Sequence, residues 1–118
     1  MLVVKGQEIY LTRADTAYLQ FIPMEKIPEQ KEPTPRILQN GDKVIFRLKT
    51  NGAVFEKECL IDLEENSCIL SLEPTDTINL DFQTYKYEVE LVTNIQEHFT
   101  FVADQRFTIG KEYEPHDS

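Results

Sequence analysis

The sequence predicts an all-β fold, an antiparallel β-sandwich of about eight strands with one short helical turn near residues 74–80. Three observations carry this. Tyr85, Tyr87, Val89 and Leu91 alternate strictly with Lys86, Glu88 and Glu90, the period of a strand with one face buried and one wet. Short apolar runs recur at regular spacing with turn residues between them. No segment sustains the 3.6-residue period of a long helix.

The elements follow in chain order. Ile9–Thr12 is a short strand after a turn at Gly6, and Arg13, Ala14 and Asp15 make the next turn. Thr16–Ile22 is a strand with Ala17, Leu19 and Phe21 on one face and Thr16, Tyr18 and Gln20 on the other; the pattern leaves open which face is buried. Residues 23–40 break the pattern. Four of the six prolines fall here, Pro23, Pro28, Pro33 and Pro35, among charged residues. Proline removes ladder donors and charge resists burial, so an exposed loop is expected. An irregular loop of this length in a small domain is uncommon and often functional.

Asn40, Gly41 and Asp42 form a turn into Lys43–Lys49, with Val44, Phe46 and Leu48 inward and Lys43, Arg47 and Lys49 outward. Asn51-Gly52 signals a hairpin of the two-residue type, with Val54–Ile61 returning. Glu64–Ser67 turns the chain into Cys68–Leu72. Pro74 opens the short turn, since proline suits a first helical position. After the Tyr85 strand, residues 93–97 form a loop. His98–Val102 and Arg106–Ile109 are read as two strands flanking a bulge or kink at 103–105, with Phe107 and Ile109 inward.

With 118 residues the chain has room for one domain, 1–112, with the exposed proline-rich loop 23–40 and a flexible polar tail, 113–118. The balance is 12 basic against 21 acidic residues, a net charge of −9. Such a surface repels phosphate backbones, and Lys43, Arg47 and Lys49 read as a solvated strand face rather than a basic stripe. Neither nucleic acid nor an anionic membrane is expected as a partner. No signal peptide is read at the start, and no stretch approaches the ~20 apolar residues of a membrane span. Cys59 and Cys68 are expected as free thiols in a reducing compartment, although their place on consecutive strands permits a cross-strand bridge.

The sequence carries no arrangement of residues that identifies a chemistry. His98 lies in a strand and His116 in the tail, and no nucleophile motif surrounds either. Single glycines form no phosphate loop. Asp62, Glu64 and Glu65 share a turn but lack calcium-loop spacing, and two cysteines and two distant histidines lack zinc spacing. Tyr10, Tyr18, Tyr85, Tyr87 and Tyr113 could line a sugar platform or an interface, but core packing explains tyrosines in an alternating strand. No catalytic residue, cofactor or metal is expected, and no enzyme.

Asp81-Phe-Gln-Thr-Tyr85-Lys-Tyr87 resembles the start of strand F in immunoglobulin-like sandwiches, where a tyrosine hydroxyl bonds back to upstream backbone as a tyrosine corner. Tyr87 takes the position of the antibody cysteine, so only the architecture carries over. The resemblance assigns a structural role to Asp81, Tyr85 and Tyr87 and makes the expected sandwich immunoglobulin-like.

Most of the chain resembles a group of small sandwich proteins. The residues are Ile9–Leu19, Asn40–Phe46, Leu72–Thr77, Leu80–Leu91 and Phe107–Ile109. They are similar to the N-terminal domain of baseplate upper proteins, encoded among virion structural genes of phages and prophages of Gram-positive bacteria. Ala14 stands where members often have glycine, and glycine is also usual near Gln83. The resemblance implies a non-enzymatic tail, baseplate or neck part, or an adaptor. It would assemble with other virion proteins and as a homo-oligomer, in the virion and, during assembly, in the host bacterial cytoplasm. The alternative from another class is a binding module for a host-surface glycan or protein.

Overall fold

The alternating run becomes strand β9, Gln83–Val92, and its inward residues form the centre of the core: Tyr85, Tyr87, Val89 and Leu91 are all at most 2% exposed. The computed structural model describes residues 1–26, 28–29 and 31–111, and the expected tail 113–118 lies outside them. The other strands are β1 (Leu2–Lys5), β2 (Glu8–Thr12), β3 (Ala17–Phe21), β4 (Met24–Glu25), β5 (Thr34–Pro35), β6 (Lys43–Lys49), β7 (Ala53–Asp62), β8 (Ser67–Leu72) and β10 (His98–Gly110). One helical turn, α1, covers Pro74–Thr77.

Eight of the strands make one mostly antiparallel, nearly barrel-shaped sheet in the order β1-β2-β10-β9-β6-β7-β8-β3. The exception to antiparallel pairing is β2 beside β10, with Ile9 level with Phe107. Strand β7 changes partners along its length. Ala53–Cys59 ladders on β6, and Leu60–Asp62 ladders on β8. The fold class is therefore all-β, as the turn spacing predicts.

The core is aromatic at its centre. The Phe46 ring lies 5.6 Å from both Tyr87 and Phe107, and Tyr87 and Phe107 meet edge-on at 84°. Such pairs add about 0.5–1.5 kcal/mol each beyond area burial. Val44, Phe46 and Leu48 from β6 face inward as the alternation requires, at most 1% exposed. The ambiguous third strand resolves the same way. Ala17 and Leu19 are buried, Phe21 packs against the core, and Tyr18 stands 66% exposed.

Four details depart from expectation. Leu2–Lys5 is a strand, too short to announce itself, held by pairing with β2 across Gly6 at φ +60°. The hairpin between β6 and β7 is not the two-residue type. Lys49 pairs with Ala53 across Thr50–Gly52, and neither Asn51 nor Gly52 takes the positive φ that such a turn needs. The last two expected strands are one, β10. Register shifts between Thr100 and Gln105, with Asp104 at φ +56°, absorb the irregularity without ending the ladder. The proline-rich segment carries a small ladder of its own, β4 with β5, in which Met24 faces Pro35 and Glu25 faces Thr34. Its far end is pinned: Asn66 Oδ1 accepts from the Leu38 amide at 2.7 Å while Nδ2 donates to the Arg36 carbonyl at 2.9 Å, and Leu38 is buried.

Candidate functional site

The corner residues come first. Pro74 starts α1, and the Asp76 carboxylate accepts from the Glu73 amide at 2.7 Å, tying off the turn's first free donor. The chain then swings through Leu80 and Asp81 into β9. The Tyr85 hydroxyl donates to the Asp81 carbonyl at 3.1 Å, and the ring is 2% exposed. The Asp81 side chain is exposed, so its backbone oxygen takes the bond. Tyr87 reaches the opposite way and donates to the Gln7 carbonyl at 2.5 Å, joining β9 to the β1–β2 turn. Burial pushes its phenol up to about 12.

The other residues weighed for chemistry are scattered. His98 Nδ1 lies 3.3 Å from Glu90 Oε2 at the start of β10, while His116 lies outside the described residues. Among the tyrosines, Tyr85 and Tyr87 are core, Tyr10 is half-buried with its hydroxyl on the Lys111 carbonyl, and Tyr18 is exposed. Tyr113 lies outside the described residues. In the Asp62 turn, the carboxylate accepts from the Glu65 amide, which is turn chemistry. Among the described residues no group of three or more His, Cys, Asp or Glu side chains is placed to hold a metal ion. Cys59 and Cys68 are buried free thiols. Burial pushes both up to about 12, and Cys68 Sγ donates to the Phe21 carbonyl at 3.2 Å.

The outer face of β6, β7 and β9 is a mixed-charge lattice. Arg47 Nε binds Glu56 at 2.8 Å, and its Nη1 reaches Glu90 at 3.1 Å and Glu88 at 3.5 Å. Lys49 binds Glu88 at 2.7 Å. Burial pushes the Glu90 carboxyl up, but hydrogen bonds from Arg47 and His98 outweigh it and hold the group below its ordinary value. Arg47 and Lys49 thus face glutamates across the ladder rather than lying open for an anionic partner, while Lys43, opposite Val92, stays exposed.

Two further features face outward. Strand β3 ends the sheet, and residues 16–22 carry no charge. Beside it on the same outer face stand Tyr18 (66% exposed) and, across β8, Leu60 (71% exposed). At the far end of the molecule a groove of about 430 Å³ runs between the proline-rich segment and β10. The Arg36 guanidinium stacks over Phe99 there at 4.4 Å and binds Glu25 at 3.0 Å. The cation–π contact ties the proline-rich segment to β10, and the ion pair closes the segment on itself.

The signal for the charge lattice was present in the sequence, as charges alternating opposite one another in β6 and β9. The β3 edge was not readable, because position in a sheet depends on topology. No protein-family model and no curated protein matches this chain.

Proposed function

We propose that the chain is a non-enzymatic phage or prophage virion part. It would serve as a tail, baseplate or neck component or adaptor, and act by assembling with other virion proteins and with copies of itself. The observation that carries this is the uncharged edge at β3, which has no second ladder partner among the described residues, with Tyr18 and Leu60 exposed beside it. A chain of net charge −9 resists meeting its own copies, and an edge without charge is where pairing costs least. Soluble monomers commonly blunt such edges with lysine or proline, and residues 16–22 hold neither.

The immunoglobulin-like arrangement belongs to the same proposal. Strands β3, β8 and the end of β7 would make one layer, and β1, β2, β10, β9, β6 and the start of β7 the other. The partner change within β7 and the Tyr85 bond at the entry to β9 both support it. The virion, and the bacterial cytoplasm during assembly, would be its location.

Immunogold labelling tests the role. An antiserum raised against the chain should decorate the tail, baseplate or neck of particles induced from a lysogen that encodes it. Particles that contain no copy of the chain, by labelling and by mass spectrometry, would contradict the proposal.

A further inference from the structure

At the end of the molecule where β2 stops, β3 starts and β10 runs out, a groove of about 540 Å³ gathers side chains from distant segments. Thr12 and Arg13 come from the first turn, Ile78 and Phe82 from the corner after α1, and Lys111 from the end of β10. The Arg13 guanidinium lies 3.9 Å from the Phe82 ring centroid, and the Lys111 ammonium lies 5.8 Å from the same ring. One aromatic ring therefore has both cations within cation–π distance.

Among the described residues neither cation has a carboxylate partner, and Arg13 makes one long bond to the Leu80 carbonyl at 3.4 Å. Asp15 also lines the groove, and its carboxylate is taken up by the amino group of Met1. Among the described residues Arg36, Arg47, Lys49 and Lys57 each pair with an acid, and isolated lysines such as Lys5, Lys43 and Lys86 do not; the groove differs in setting two such unpaired cations against one ring.

A second observation points into the same groove. Thr12 is 6% exposed, and its hydroxyl is the one buried side-chain polar atom without a hydrogen-bond partner among the described residues. Native proteins rarely leave such a group unmatched, and an unfilled ligand position is one reason to do so.

We infer that this groove binds a carboxylate presented by an acidic segment of a partner protein, with apolar neighbours of that carboxylate resting on Ile78 and Phe82. A guanidinium stacked on a ring keeps its N–H edge free for bidentate donation to a carboxylate. Lys111 adds a second charge, and Thr12, which lines the groove, has a buried hydroxyl donor unspent. Ile78 and Phe82 are 47% and 43% exposed, which gives the flanking apolar contact. The inference rests on the assembly role for the partner's presence, and it names the chemistry by which one neighbour would be held.

The test is an amide-resolved NMR titration of the intact protein with two capped tetrapeptides, Leu-Glu-Glu-Leu and Leu-Gln-Gln-Leu, and with inorganic phosphate. The acidic peptide should give saturable shifts at Ala14, Phe82 and Lys111 that the glutamine peptide does not give. Arg13→Gln should weaken binding about tenfold or more, the factor expected for one charge-assisted hydrogen bond. Lys111→Gln, which keeps the backbone carbonyl that Tyr10 uses, should weaken it in the same direction. Thr12→Val should weaken binding without lowering the thermal midpoint, because its hydroxyl has no partner to lose. Equal binding of the glutamine peptide, equal binding of phosphate, or unchanged affinity in Arg13→Gln would overturn the inference. A titration without shifts would do so too, and would leave assembly through the β3 edge standing, since oligomer mass reads that separately.

Discussion

The Tyr85 hydroxyl closes onto the Asp81 carbonyl at 3.1 Å, a bond that spans only the four residues between the corner and the first inward position of β9. It fixes the angle at which the chain leaves α1 and enters the core. The ring remains buried in a phenylalanine variant, so Tyr85→Phe isolates the hydroxyl. The expected loss is about 1 kcal/mol in urea unfolding. An unchanged midpoint would show that the corner does not need the bond.

Acid should find the Arg47 lattice. Glu90 is held below its ordinary carboxyl value of 4.5 by Arg47 and His98 against the opposing effect of burial, and Asp76 below 3.8 by Lys57 and the Glu73 amide, again against burial. A depressed carboxyl contributes stability above its unfolded value and loses it as pH falls through the folded one. Stability should therefore fall as the pH drops below about 4.5. Arg47→Gln should lower stability at neutral pH by about 1 kcal/mol and flatten that acid slope, because the group that depresses Glu90 is gone. Urea titrations at several pH values check both; an acid slope identical in the variant would contradict the assignment.

Ala14 sits at φ +67°, a left-handed conformation that costs an alanine about 1–2 kcal/mol. Its amide is held by Thr77 Oγ1 at 2.7 Å, and Thr77 is 1% exposed. Ala14→Gly should raise stability by up to about 1 kcal/mol, once the greater freedom of unfolded glycine is subtracted. Thr77→Val should lower it by about 1–3 kcal/mol, because the Ala14 amide loses its acceptor. Thermal melts read both. A glycine variant less stable than the parent would mean that the strain lies elsewhere.

The cysteines give a sharp kinetic expectation. With both thiols raised to about 12, roughly one part in 10⁴ is thiolate at pH 8, four units below. A thiol reagent should release no colour from the folded protein on the time of mixing and titrate two thiols in urea. Rapid reaction of either in the folded state would contradict the burial.

The sequence was most legible where one face of a strand alternates without interruption. Lys43–Lys49 and Tyr85–Leu91 could be assigned side chain by side chain, because period two leaves one choice once charge marks the wet face. Leu2–Lys5 was hidden because it is a four-residue strand whose one ladder among the described residues is to β2. Thr34–Pro35 was hidden because proline argues against a ladder unless its missing donor faces away. The bulge at Ala103–Gln105 was visible, but whether a bulge ends a strand depends on neighbours the sequence does not list in order. The groove of Thr12, Arg13, Phe82 and Lys111 had no motif at all. Its members are brought together by the parallel pairing of β2 with β10, which places residues a hundred positions apart at one end of the sheet.

The central claim is that this chain works by meeting other chains, its own copies included. Light scattering on the purified protein, coupled to size-exclusion chromatography at moderate salt, measures that directly. A discrete multiple of the 13.8 kDa chain mass is expected, shifted toward the monomer by Tyr18→Lys with Gln20→Lys on the β3 edge. A parent protein that remains a monomer at the highest soluble concentration would contradict the claim.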